Sequence, residues 1–271
     1  MKRTIGTLLA ATLTLAVPAI SDGFNEDNYE AFMDGRVGTG EPVYWYSVGT
    51  IKSYPEGELL FQMEGFDAAR AHRPDPEEAL THQYNRKIYF YKNAETGDIL
   101  TEWNENPIEP IAYPYQFITY ELKGETIETM VEQGKEPNIQ RLGPGTDISA
   151  RQVGDSLVVT APVYLDFEIP GTDRRIDAFE NYDFFFHPEG SVTEANQLAW
   201  VRYGDLPAWA GGGKAIYHLV TWRIDDWADM PSSMKETIER DYPLWMAPPA
   251  SIEDIRALQA PVETDDASKG F

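Results

Sequence analysis

The chain has 271 residues and carries 45 acidic against 22 basic side chains, a formal net charge of −23. Such a surface repels phosphate backbones and anionic lipid, which argues against nucleic acid or a membrane surface as partner. There is no cysteine, so disulfides, thiolate nucleophiles, iron–sulfur clusters and cysteine-based zinc sites are ruled out, while 42% hydrophobic and 13% aromatic content suffices for a core built from strands.

Residues 1–19 have the three parts of a secretory signal peptide. Lys2 and Arg3 form a basic start, Thr4 to Val17 is uncharged, and Val17-Pro18-Ala19 offers compact residues for cleavage. The apolar run is shorter than the ~20 residues that a spanning helix needs. The expected mature protein is therefore periplasmic or secreted, with no membrane attachment once the leader is removed. Residues 20–250 read as a single β-rich domain, and 251–271 as a short helix followed by a disordered tail.

Asp22 to Gly40 is polar and reads as a short helix and a loop. Strand character begins at Val43–Tyr54 and continues in Leu59–Gly65, with a charged, proline-rich loop at His72–Glu78. Gln83–Tyr91 is the clearest strand, and a Thr96-Gly97 turn joins it to Ile99–Trp103 as a hairpin. Further strands are expected at Gln116–Leu122, Thr126–Val131, Ile148–Val153, Leu157–Phe167, Arg175–Phe186, Leu198–Tyr203 and Ala215–Trp222. Turn signals stand at Lys123-Gly124, Gly154-Asp155 and Gly171-Thr172. Short strands with frequent turns and no βαβ alternation predict a mainly β fold, an antiparallel barrel or strongly curved sandwich. Two short C-terminal helices follow: Ser233-x-x-Glu236 opens Met234–Arg240, and Ser251-x-x-Asp254 opens Ile252–Gln259.

Two motifs imitate chemistry. Gly154-Asp155-Ser156-Leu157 spells the GDSL tetrapeptide, but it lies mid-chain between strands, and no histidine has an aspartate three residues before it. A β-turn is the simpler reading. Gly211-Gly212-Gly213-Lys214 ends like a phosphate loop, yet Ala215 replaces the required Ser or Thr and no glycine stands five residues before Gly213. The histidines, His72, His82, His187 and His218, lack helical ligand spacing. No metal site and no cofactor is read from the sequence.

The richest segment is Ala199–Trp222, with Trp200, Arg202, Trp209, the glycine run and His218. Alternation puts Trp200 and Arg202 on one face of their strand, and Ile216, His218 and Val220 on one face of the next. If those faces coincide, Trp200, Arg202 and His218 meet. Arg202 would then hold a carboxylate or enolate by charge-assisted hydrogen bonds, or else stack on tryptophan structurally. His82 also lies in an aromatic strand, where a structural role competes with a ligand contact. Trp103-Asn104-Glu105-Asn106-Pro107 combines a stacking ring with amide hydrogen-bonding groups, although Asn and Pro also make turns.

Three stretches carry a resemblance: Arg86 to Pro107; Trp200-Val-Arg202 with Trp209 and the glycines; and Met230-Pro231 with Tyr242-Pro-Leu-Trp-Met-Ala-Pro248. Together they resemble an uncharacterised bacterial and fungal family known only as a domain of unknown function, over about Tyr44 to Pro249. The resemblance implies one coherent fold and supplies no activity. Such proteins commonly carry Pro-Trp-Met near Trp209, where this chain reads Pro207-Ala-Trp-Ala.

Two functions are expected from these residues. One is binding of a small apolar or aromatic molecule in an aromatic-lined cavity, with Trp200, Trp209, Trp103, Asn104 and His82 as ligand contacts. The alternative is a cofactor-independent lyase, isomerase or hydratase, with His218 moving a proton and Arg202 stabilising negative charge. The partner is a small molecule in either case, and oligomeric state stays open.

Overall fold

The computed structural model describes residues 23–134, 140–142, 148–168, 175–187 and 196–259. The leader at 1–19, the Gly171-Thr172 turn and the tail from Pro261 lie outside them.

Helix α1 (Glu26–Val37) comes first. Asn28 N donates to Asn25 Oδ1 at 2.9 Å and Asn25 N donates to Asn28 Oδ1 at 2.7 Å, so each asparagine satisfies an amide that the helix start leaves free. Tyr29, Phe32, Met33, Arg36 and Val37 recur at spacings of three and four, and all are buried. Asn25→Ala is expected to cost about 1 kcal/mol, seen as a lower denaturation midpoint.

The strands follow as β1 (Val43–Tyr54), β2 (Leu59–His72), β3 (Leu80–Asn93), a two-residue pair β4 (Glu102–Trp103) and β5 (Asn106–Pro107), β6 (Ile111–Lys123) and β7 (Thr126–Gln133). Then come β8 (Gln140–Leu142), β9 (Ser149–Val153), β10 (Ser156–Glu168), β11 (Arg175–Phe186), β12 (Gln197–Asp205) and β13 (Lys214–Ile224). All but β4 and β5 form one antiparallel sheet of eleven strands, in the order β8-β7-β6-β3-β2-β1-β13-β12-β11-β10-β9. The expected barrel is what forms: the sheet is barrel-shaped and nearly closed.

Chain length alone requires the curl. A flat sheet of this width would part its edges by about 48 Å, ten spacings of ~4.8 Å. The seven residues from Leu142 to Ser149 reach at most about 25 Å. Packing agrees, because Ile127 of β7 and Ala150 of β9 share one hydrophobic cluster with Phe32 and Met33 of α1. The helix thus occupies one end of the barrel.

Glycine permits the tightest packing of the wall. A Cβ on Gly65 would stand 2.2 Å from the Ile88 carbonyl oxygen and 2.7 Å from the Tyr89 ring. Gly65→Ala is expected to cost about 2 kcal/mol by forcing β2 from β3, measurable by chemical denaturation.

Several expected boundaries shift. β2 runs to His72 instead of stopping at Gly65, since its ladder with β3 continues through Asp67 and Arg70. β6 starts at Ile111 rather than Gln116. Between Asn85 and Lys87 its register with β3 jumps by one residue, so Arg86 faces Pro114 and Tyr115 together. The Thr96-Gly97 hairpin shrinks to a single bridge between Lys92 and Ile99.

The C-terminal segment packs on the outer wall. Met234 and Ile238 of α2 (Ser232–Asp241) cover Phe66, Ile88 and Phe90, and Ile255 of α3 (Ile252–Gln259) covers Tyr84 and Tyr115. Arg86 fastens this layer: its Nη1 donates to the carbonyls of Leu244 at 3.1 Å and Ala247 at 2.7 Å, and its Nε to that of Pro114 at 2.8 Å. The capping box expected at Ser233 does not form, because α2 starts two residues earlier than expected, behind Pro231 with no side-chain cap. Ser251 does cap α3, accepting from Asp254 N at 3.3 Å.

Candidate functional site

A cavity of about 390 Å³ lies inside the barrel. Arg36 and Trp45 border it near α1, while Leu206 and Pro207 border it beyond β12. Met63, Ile111, Leu198, Trp200 and Leu219 give its walls an apolar and aromatic character.

Polar groups enter the cavity as two knots. In the first, Glu180 accepts from Arg202 Nη1 at 2.5 Å, Tyr182 Oη at 2.6 Å and Trp200 Nε1 at 3.3 Å. In the second, Asp67 accepts from Tyr89 Oη at 3.0 Å, with Arg36 Nη2 at 3.8 Å. Ser47 Oγ lies 3.3 Å from Tyr89 Oη and 2.7 Å from Thr221 Oγ1, which extends this knot across β1 and β13. Nearer β7 the interior carries an amide relay: Tyr120 Oη donates to Gln83, Gln83 to Asn85, Asn85 to Gln116, and Gln116 to Gln133. Each member satisfies the next, which makes a polar barrel interior tolerable.

Burial favours the neutral form of Tyr89, Tyr182 and Tyr217. Tyr89 and Tyr182 are pushed well above the usual phenol value, first by desolvation and then by Asp67 and Glu180 respectively. Tyr217 is pushed from 10.0 up to about 12, by burial against an opposing effect of Arg202. Above pH 10 the unfolded chain loses this proton while the folded chain retains it. Stability is therefore full below pH 10 and falls as pH rises towards 12, by up to ~1.4 kcal/mol per pH unit for each such tyrosine. Denaturant midpoints across this range, with phenolate absorbance as a second signal, are expected to show the loss.

Trp200 and Arg202 both line the cavity, as successive inward residues of β12. His218 does not join them. In the ladder it pairs with Val201, while Tyr217 pairs with Arg202 and Leu219 with Trp200. Tyr217 and Leu219 thus take the inward places, and His218 is exposed on the outer face. His82 is also on the outer face, its ring 5.9 Å from that of His72 and 5.0 Å from that of Phe117. No histidine lines the cavity, so the proton carrier imagined for the lyase, isomerase or hydratase reading is elsewhere.

Trp103 and Trp209 do not border the cavity but pack on the inward-facing cluster next to it. Both pack on Phe61, at 5.1 and 5.3 Å, in a cluster that also holds Tyr91 and Tyr217. Asn104 belongs to the two-residue turn between β4 and β5, at φ 48° beside Glu105 at φ 65°, and is exposed. This is the I′ hairpin geometry, and the turn accounts for the asparagines.

Sequence reasoning missed Arg36, Asp67, Lys87, Tyr89, Glu180 and Tyr182, all cavity residues. A signal existed for Arg36 in the stripe from Tyr29 to Val37, and for Glu180 in its two-residue spacing from Tyr182 and Phe184. The tetrapeptide at 154–157 makes the turn between β9 and β10, with Gly154 at φ 60°. Its Ser156 Oγ lies 2.9 Å from His187 Nδ1, but neither residue borders the cavity. The glycines before Lys214 all have positive φ and belong to the β12–β13 connection.

Among the described residues no group of three His, Asp or Glu side chains is placed to hold a metal ion, and no helix is long and apolar enough to cross a membrane. No protein-family model matches the chain, and neither does any curated protein or solved structure.

Proposed function

We propose that the protein is an exported binding protein that holds one small aromatic or apolar molecule inside its barrel. The observation that carries this reading is the cavity of about 390 Å³ between Trp45, Met63, Trp200 and Leu219, a size and lining suited to a small organic ligand. Arg202 is pre-set by Glu180 and can orient a polar end of the guest without reorganising. Export rests on the leader pattern, and mass spectrometry of the secreted or periplasmic form is expected to find a chain starting at Ile20.

Binding is tested by titrating the apolar fluorophore N-phenylnaphthylamine into the chain. Saturable one-to-one binding with quenching of tryptophan emission is expected. Leu219→Trp, which fills the cavity, is expected to weaken it at least about tenfold, ~1.4 kcal/mol, with circular dichroism unchanged. Equal binding by this variant would assign the probe to the outer surface and remove the proposal.

A further inference from the structure

Charge inside the cavity does not follow charge outside it. The chain is at −23 overall, yet Arg36, Lys87 and Arg202 line the cavity against two enclosed carboxylates, Asp67 and Glu180. A third, Asp205, is half exposed and lies 3.0 Å from Lys214. Glu180 is saturated by its three donors. Asp67 takes the Tyr89 hydroxyl and lies beside Arg36, whose Nε and Nη1 are buried with no hydrogen-bond partner.

Lys87 stands directly opposite Asp67 across the β2–β3 ladder, but it forms no ion pair among the described residues. Its ammonium sits over the Tyr113 ring, 4.7 Å from the centroid. Tyr91 and Tyr113 also border the cavity, and neither hydroxyl makes a hydrogen bond among the described residues. One surplus positive charge, three ammonium hydrogens and two free phenols therefore gather beside an aromatic and aliphatic wall. Lys87 is part-buried and lacks an ion-pair partner, and a ligand carboxylate would supply one by a charge-assisted hydrogen bond.

We infer that the cavity selects a small aromatic acid bound as its monoanion, with the carboxylate on Lys87 and the Tyr91 and Tyr113 hydroxyls, and the ring against Trp200, Met63 and Leu219. The inference rests on the cavity being a binding site. A second carboxylate on the guest would meet Asp67 and Glu180, so diacids are disfavoured.

The test compares naphthoate with its uncharged counterpart naphthylmethanol, each titrated into the full chain and followed by calorimetry. Naphthoate is expected to bind at least about tenfold more tightly. Lys87→Met is expected to remove that advantage, lowering naphthoate affinity by far more than naphthylmethanol affinity, while Lys87→Arg retains it. The backbone role of Lys87, whose carbonyl accepts from Trp245 Nε1 at 2.9 Å, is the same in both variants. If Lys87→Met does not fold, Lys87→Gln replaces it, with the same expectation. Equal affinities for the two probes, or a naphthoate preference that survives loss of the lysine charge, would overturn the acid selectivity and leave the binding reading standing. Failure of both probes to bind would remove both.

Discussion

Glu180→Leu is expected to lower the unfolding free energy by about 3 kcal/mol. Glu180 is 10% exposed and accepts from Arg202, Tyr182 and Trp200. Leucine has similar bulk, so little packing is lost. What changes is that a guanidinium only 24% exposed loses its counter-charge, and a buried phenol and an indole lose their acceptor. Breaking one half of a buried pair is costly because the other half remains, so removing both is expected to cost less than removing one. The pair Glu180→Leu with Arg202→Met is thus expected to recover most of the loss. Urea denaturation of the single and double variants measures this, and additive losses would show that the two residues act independently.

Phe32→Ala is expected to cost about 4 kcal/mol, the upper part of the range for a buried aromatic ring. The Phe32 side chain is 1% exposed. Its ring lies 5.9 Å from Phe24, 6.0 Å from Tyr120, 5.6 Å from Phe184 and 5.7 Å from Phe186, joining α1 to both halves of the barrel. Gly35 fits beneath it so closely that a Cβ would stand 2.3 Å from the Phe186 ring. Alanine at 32 leaves a void that a helix held this close cannot easily collapse into. The loss is expected in thermal and chemical denaturation alike, together with faster amide exchange across α1. A variant within 1 kcal/mol of the parent would mean that the helix is not integral to the core.

The strand content was legible because alternation and turn residues report local structure directly. The inward phase was not. On β3 the inward face reads Thr81, Gln83, Asn85, Lys87, Tyr89, Tyr91, and the outward face reads His82, Tyr84, Arg86, Ile88, Phe90. The apolar face looks outward because α2 and α3 cover it, so hydrophobicity pointed the wrong way. On β13 both faces are apolar. Whether His218 or Tyr217 joins Arg202 then depends only on register, where one residue of slip exchanges the faces. Arg202 and Trp200 were found as cavity residues because they lie on the same strand two positions apart, a relation that no register can break. Lys87 and Asp67 come from different strands with ordinary spacing, and only the assembled ladder brings them opposite each other.

The ladder between β1 and β13 has a kinetic consequence. Tyr44 pairs with Ile224, so the second residue of β1 meets a partner encoded 180 positions later. Every other strand is docked to a neighbour closer in sequence, and among the described residues this is the one strand pairing that joins the two meanders. Forming it requires closure of about two thirds of the chain, an entropic toll that slows topologies rich in distant contacts to milliseconds or longer. During synthesis one edge of β1 would stay unpaired until the final strand emerges, a long interval in which an open edge must avoid wrong partners.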